Sequence, residues 1–411
     1  MKNKIIAILL CLTQITFAQN VDFTGYVRNY SGMLAGNGSN DFVILQNTFN
    51  LNIEKNMSGS SFKVNPIIYH NDSDSISFNL REAYLDLYFD SFDIRVGKQQ
   101  IVWGKADGVF ITDILSPKDL YEFLLPEFDE IRIGVTGAKL NYYMGGNTLE
   151  LVWLPVFTPT NLPNSTSIWS PSMSFAMTPT FDYSKQDVKP SLENSELFLK
   201  YSALTEAIDF EIMGGYMWDD DPTVFSSIVT NSSGRNLFIT PEHKRISLIG
   251  GSFSTTLGPF VFRGEGAYYF GKYFNTSDLT VNNGTVEKDY IHYMLGTDFN
   301  LLDINFSLQF IQKAVMDYEE TIQSNVMFKD QYNNMMTFLA RYSILNETLE
   351  FELFSYYDFE YDDALIRPRV LYDYSDTINL QIGANIFTGT EGQFGQYNNN
   401  DMLYGKIKYS F

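Results

Sequence analysis

The chain is poor in the residues that most catalytic and metal sites need. Its 411 residues include one cysteine and three histidines. Cys11 lies in an N-terminal segment expected to be removed, so the mature chain is read as cysteine-free. That excludes disulfides, a thiolate nucleophile and a thiolate metal site. His70, His243 and His292 are too few for a histidine-rich metal centre. Basic residues are also scarce. The 28 Lys and Arg against 49 Asp and Glu give a net charge of -21, or -23 (26 against 49) without Lys2 and Lys4. Such acidity argues against nucleic acid as a partner. Beyond the N-terminal segment, no apolar run approaches the roughly 20 residues that a spanning helix needs.

What the chain has is aromatics. Its 34 Phe and 27 Tyr make up most of a 16% aromatic content, yet mean hydropathy is only -0.14. Half-polar, aromatic-rich strands produce that combination, because two faces of opposite character alternate and average out. Lys2 and Lys4 before the apolar run Ile5 to Leu12, then Thr16–Phe17–Ala18, give the pattern of a secretory signal peptide over residues 1–18, cut before Gln19. Leu10 ahead of Cys11 argues against a lipoprotein attachment site. Residues 19–411 show no linker or composition break and read as one domain.

Several segments alternate with period two. Ile304, Phe306, Leu308 and Phe310 interleave with Asn305, Ser307 and Gln309. Ile378, Leu380, Ile382, Ala384 and Ile386 interleave with Asn379, Gln381 and Asn385, and similar runs cover 208–212 and 349–353. Tight connectors, such as 90–92, 144–147, 256–259, 301–303 and 375–377, take turns with long ones at 97–130, 155–193, 219–243, 271–288 and 314–333. The expected fold is all-β: a transmembrane antiparallel β-barrel of about 18 strands, with 16 as the alternative. Short turns would face the periplasm and long loops the exterior. A barrel this wide encloses an aqueous channel unless loops fill it.

The last ten residues place Leu403, Gly405, Ile407, Tyr409 and Phe411 on one strand face and Tyr404, Lys406, Lys408 and Ser410 on the other. The tail resembles the assembly signal of Gram-negative outer-membrane barrels. Arg81 to Phe89 leads through a tight turn into Ile94–Arg95–Val96–Gly97–Lys98–Gln99–Gln100–Ile101–Val102–Trp103–Gly104, and Ser116–Pro117–Lys118–Asp119 follows. These residues resemble porin-like outer-membrane barrels of the alginate-export type. The resemblance implies a barrel and a channel, located in the cell outer membrane, and names no solute.

Ser116 and Pro117 ahead of Lys118 to Leu125 predict a short helix, with Ser at the cap and Pro in the first turn. A loop of this length carrying a helix should pack somewhere, either into the barrel mouth or over the rim and onto a neighbouring subunit. Candidate pore-lining residues are Glu82, Tyr84, Asp86, Arg95, Lys98, Gln99, Trp103, Lys105, Asp107, Asp113 and Arg132. They would act as opposed charges across a constriction, or they would pair within the wall, the preferred reading for any single residue. The inferred lumen face elsewhere mixes Arg263, Glu265, Lys313, Arg341, Glu350, Glu352, Arg367, Arg369, Lys406 and Lys408. Acidic runs at 219–221, 317–320 and 360–363 read as solvated loop charge. Tyr268–Tyr269–Phe270, Tyr356–Tyr357 and Trp218 read by default as an interface girdle, with Tyr84, Tyr88, Phe354 and Tyr356 the candidates for an inward aromatic track.

The main functional expectation is an outer-membrane channel for small hydrophilic solutes, passive or selective, narrowed by the 97–130 loop. A non-conducting adhesin or structural barrel is the rival. A barrel enzyme is poorly supported, since His292 is the sole strand-placed histidine and no serine motif accompanies it. No catalytic residue, metal site or cofactor is expected. Expected partners are outer-membrane lipids and lipopolysaccharide, the barrel-assembly machinery and an unidentified small-molecule solute. A homo-oligomer is compatible with the class.

Overall fold

A computed structural model describes residues 21–36, 41–71, 75–171, 177–231, 234–322 and 328–411. The expected leader, with Cys11, lies outside the described residues. The period-two segments become strands that close on themselves. Strands β1 (Asp22–Leu34), β2 (Phe42–Met57), β3 (Ser60–His70), β4 (Ile76–Tyr88), β5 (Phe92–Gln99), β6 (Val135–Met144) and β7 (Asn147–Leu154) pair in order. The sheet continues through β9 (Glu196–Leu204), β10 (Asp209–Trp218), β13 (Arg245–Leu257), β14 (Phe260–Asn275), β15 (Thr285–Leu301) and β16 (Ile304–Val315). It ends with β17 (Tyr332–Ile344), β18 (Leu349–Asp358), β19 (Asp363–Asp373), β20 (Ile378–Thr388) and β21 (Met402–Ser410). β21 pairs with β1, so the 18 antiparallel strands form a closed barrel, and closure removes every sheet edge.

The alternation decides which way side chains point. Leu403, Ile407, Tyr409 and Phe411 are all about half exposed on the outer face, while Tyr404 and Lys406 are buried within. Phe351, Ile382 and Leu308 likewise look outward. Tight turns gather at the end where β1 begins and β21 finishes, and long loops gather at the other. Two of those loops build a small sheet of their own, in which β11 (Thr223–Asn231) pairs with β12 (Gly234–Glu242), and β12 with β8 (Pro179–Phe181).

Phe411 closes the barrel as well as ending it. It exchanges two backbone hydrogen bonds with Gly25, at 2.9 and 3.0 Å, and its ring stacks on Phe49 at 6.2 Å. Deleting Phe411 removes both bonds and the stack at the seam, where no other strand substitutes. The expected result is a severalfold loss of folded barrel, read as the heat-shifted band on a gel. Unchanged assembly would show that the seam is set by the rest of β21.

Candidate functional site: a constriction built by an inward loop

The segment between β5 and β6, residues 100–134, folds into the barrel and is pinned to the wall at successive points. Just before it leaves β5 comes Gly97, whose φ of +134° and the backbone of Ala83 beneath it admit no side chain. It then crosses to the far wall. There Glu265 on β14 accepts four hydrogen bonds from the loop: from Lys105 N (2.7 Å), Ala106 N (3.0 Å), Thr112 N (2.7 Å) and Thr112 Oγ1 (2.8 Å). Arg263 on β14 pairs with Asp107 at 2.6 Å. Gln309 on β16 receives the Asp107 amide at 3.1 Å and donates to its carbonyl at 3.0 Å. Tyr356 on β18 donates to the Gly108 carbonyl, and Tyr269 on β14 to that of Ile111. Gly108 has φ +79°, and a Cβ there would collide with Phe354.

On its return the loop meets β19, β21 and β1. Arg367 donates to the carbonyls of Leu124 and Leu125. Glu127 bridges Arg369 (2.9 Å) and Lys406 (3.0 Å), and Glu130 takes Arg28 at 2.7 Å. Burial opposes ionisation of Glu127, but Lys406 and Arg369 outweigh it and hold the carboxyl below the usual range. Within the loop, Arg132 pairs with Asp113 at 2.6 Å, both nearly buried, and burial still pushes Asp113 up.

The helix expected over 118–125 does not form. Ser116 spends its hydroxyl on the backbone of Ile101, donating to the carbonyl and accepting from the amide, so it caps nothing. Lys118 and Asp119 make β-bridges to Arg132 and Asn161, and Phe123 turns left-handed at φ 54°. Tertiary hydrogen bonds win over local propensity here. A single helical turn, α1 (Phe128–Ile131), follows instead.

The candidate residues divide into four groups. Asp86 and Arg95 form a bidentate pair within the wall at 2.7 and 3.0 Å, with Arg95 over the Tyr84 ring at 3.8 Å. Glu82 takes the Gln100 amide and Lys63. Gln99 and Trp103 are buried, Trp103 Nε1 donating to Glu150. Lys98 falls on the outer face, because it lies two residues from outward-facing Val96 on β5 and so shares its side of the strand. Lys105, Asp107 and Arg132 line open space, while Asp113 supports Arg132 from behind. The girdle assignment also needs correction at two tyrosines, since Tyr269 and Tyr356 point inward and hold the loop. Nor is the 219–221 run plain solvated charge: Asp219 is buried and meets Lys272 at 2.5 Å.

Open space remains on both sides of the loop. An outer cavity of about 480 Å3 holds Tyr30, Gln46, Asp119 and Glu122. Two inner cavities, about 360 and 410 Å3, share Glu127 and Arg369. The outer cavity and the first inner one meet at Arg28, Glu130 and Lys406. The inner pair is lined by eight cations (Arg28, Lys105, Arg132, Arg341, Arg367, Arg369, Lys406 and Lys408) against six acids. A chain of net charge -21 therefore keeps a positive excess around these two inner cavities. The sequence placed most of these residues on the lumen face or at the loop ends but missed Arg28, Glu127, Asp129 and Asp373.

Glu122 adds a pH response. Burial, then the neighbouring Asp119 charge, raises its carboxyl to about 7, against the opposing pull of Lys406 and Arg28. A carboxyl raised on folding contributes stability below its ordinary range and loses it as pH climbs through about 7. The same ionisation puts a negative charge in the outer cavity. Anion preference is expected to fall from about pH 6 to about pH 8, and Glu122→Gln should flatten that slope. An unchanged slope in the variant would remove Glu122 from the path.

A closed 18-stranded barrel with a loop folded into its lumen defines the porin class of outer-membrane barrel. Within that class, the chain belongs to the family described as "Protein of unknown function (DUF1302)", matched over residues 11–411. No curated protein matches it. Among solved structures, OpdL of Pseudomonas aeruginosa is similar at TM-score 0.56 and 11% identity, over 95% of this chain and 98% of that one. OccK2 (OpdF) of the same organism, in complex with glucuronate, is similar at 0.55 and 10%, over 96% and 98%. OccAB3 of Acinetobacter baumannii gives 0.54 and 10%, over 95% and 99%. At these identities the likeness concerns the fold.

Proposed function

We propose that this protein is an outer-membrane channel for small hydrophilic solutes, with anionic ones preferred. The observation that carries the reading is the junction of outer and inner cavities at Arg28, Glu130 and Lys406, with excess positive charge beneath it. Fixed charge at a narrow, poorly screened place selects by sign. The resemblance of residues 81–119 to alginate-export barrels supports the channel reading, and the glucuronate held by OccK2 (OpdF), similar in fold, makes a sugar acid the first solute to test. Lipid and lipopolysaccharide around the apolar outer face, and assembly machinery acting on β21, belong to the same reading.

The test is planar-bilayer recording of the refolded barrel under a salt gradient. Stable steps are expected, with a reversal potential on the anion side and stronger current block by glucuronate than by glucose. A folded but silent barrel would overturn the channel and favour an adhesin. Equal block by the two sugars would overturn the charge preference alone.

A further inference from the structure

Above the constriction loop lies a cavity of different character, about 280 Å3 in volume. Phe110, Leu124, Trp169, Tyr356 and Tyr397 give it an apolar body. Its other lining includes Lys118, Lys313 and His292. His292 on β15 and Lys313 on β16 are direct register partners. His292 is only 6% exposed, and its Nε2 has no hydrogen-bond partner among the described residues. Asp358, the acid acting on Lys313, is engaged by Asn333 at 2.6 Å. Among the described residues Asp221 is the one acid on the lining, and it answers to Lys118 and Lys272.

A buried ring nitrogen without a partner costs free energy, as does an ammonium group in an apolar chamber without its own counter-ion. A ligand that brings a carboxylate to this pole and an apolar body to the aromatic walls relieves both. We propose that the cavity binds a small amphipathic monocarboxylate, with an aromatic or alkyl body against Trp169, Tyr356 and Tyr397 and its carboxylate beside Lys313, Lys118 and His292. Glucuronate-like polar solutes have no apolar body and do not fit this chamber, so it is distinct from the charged junction. As a capture site on the outer side of the loop it rests on the channel reading; its binding does not. The volume suits a compact ligand, near the lower end of ordinary pockets.

The experiment is equilibrium binding to the whole barrel held in amphipol, read by quenching of tryptophan fluorescence and by calorimetry. The probes are 4-phenylbutyrate, 4-phenylbutanol and butyrate. Phenylbutyrate is expected to bind about tenfold tighter than either of the others, since each lacks one half of the match. Lys313→Met should weaken phenylbutyrate about tenfold and leave phenylbutanol unchanged, while Lys313→Arg restores acid binding. The heat-shifted gel band reports that each variant is folded. Equal binding of acid and alcohol, or equal loss of both in Lys313→Met, would overturn the proposal. Conductance of the same preparations tests the channel separately, so a silent barrel that binds phenylbutyrate upholds this site and overturns only the pore.

Discussion

Glu265→Ala is expected to raise single-channel conductance severalfold and to make the open current noisy. The carboxylate is 4% exposed and takes four hydrogen bonds from the inward loop, three of them from backbone amides. Hydrogen bonds to a charged acceptor contribute about 1.5–3 kcal/mol each, and a buried donor left without one costs about 1–3 kcal/mol. Removing the acceptor orphans three amides and a hydroxyl at once. Those donors regain partners only if the loop lifts toward water, and each 1.4 kcal/mol of bias changes the seated fraction about tenfold. The barrel itself keeps its ladders, so the gel shift should persist. Glu265→Gln retains an acceptor oxygen and should fall between the two. If Glu265→Ala conducts like the parent with quiet steps, Arg263, Gln309 and Tyr356 suffice to seat the loop, and Glu265 is one redundant anchor among several.

The barrel was legible in the sequence because its determinants are local. A period of two, apolar outside and polar within, survives in a single strand and needs no knowledge of partners. The runs at 304–310 and 378–386 show it, and both look outward on their apolar face. Strand number followed from the alternation of tight and long connectors. The constriction was legible only in outline. Its anchors join residues far apart in the chain, such as Gly108 to Tyr356 and Glu127 to Lys406, separated by 248 and 279 positions. No periodicity encodes those pairs. Parity placed Glu265, Arg369 and Lys406 on the lumen face without saying which of them the loop would meet. The helix over 118–125 failed for the same reason: Ser116 looked like a cap locally, but Ile101 claims its hydroxyl. Tyr269 and Tyr356 could not be told from girdle tyrosines, because only the loop beneath them distinguishes the two roles.

The second large effect concerns charge. Lys406→Met combined with Lys408→Glu is expected to turn an anion-preferring channel into a cation-preferring one. The inner cavities carry eight cations against six acids; the double variant leaves six against seven. Lys408 makes no ion pair among the described residues and lies only within cation–π range of Tyr26, at 5.9 Å. Changing it therefore alters the field without orphaning a carboxylate. Lys406 is different, since it shares Glu127 with Arg369. Methionine removes its charge and keeps much of its length, and Glu127 retains Arg369 at 2.9 Å, so the loop stays anchored. Arg369 is the wrong residue for this test. It holds Glu127 and Glu352 together, and losing it takes a partner from both carboxylates, the second of them only 5% exposed. The readout is the sign of the reversal potential under a salt gradient, measured at high and low ionic strength. Screening should shrink the inversion as salt rises, because the Debye length falls from about 10 Å at 0.1 M to about 3 Å at 1 M. A reversal potential that keeps its sign at low salt would move the selective step away from β21. The remaining place for it would be the outer cavity around Glu122.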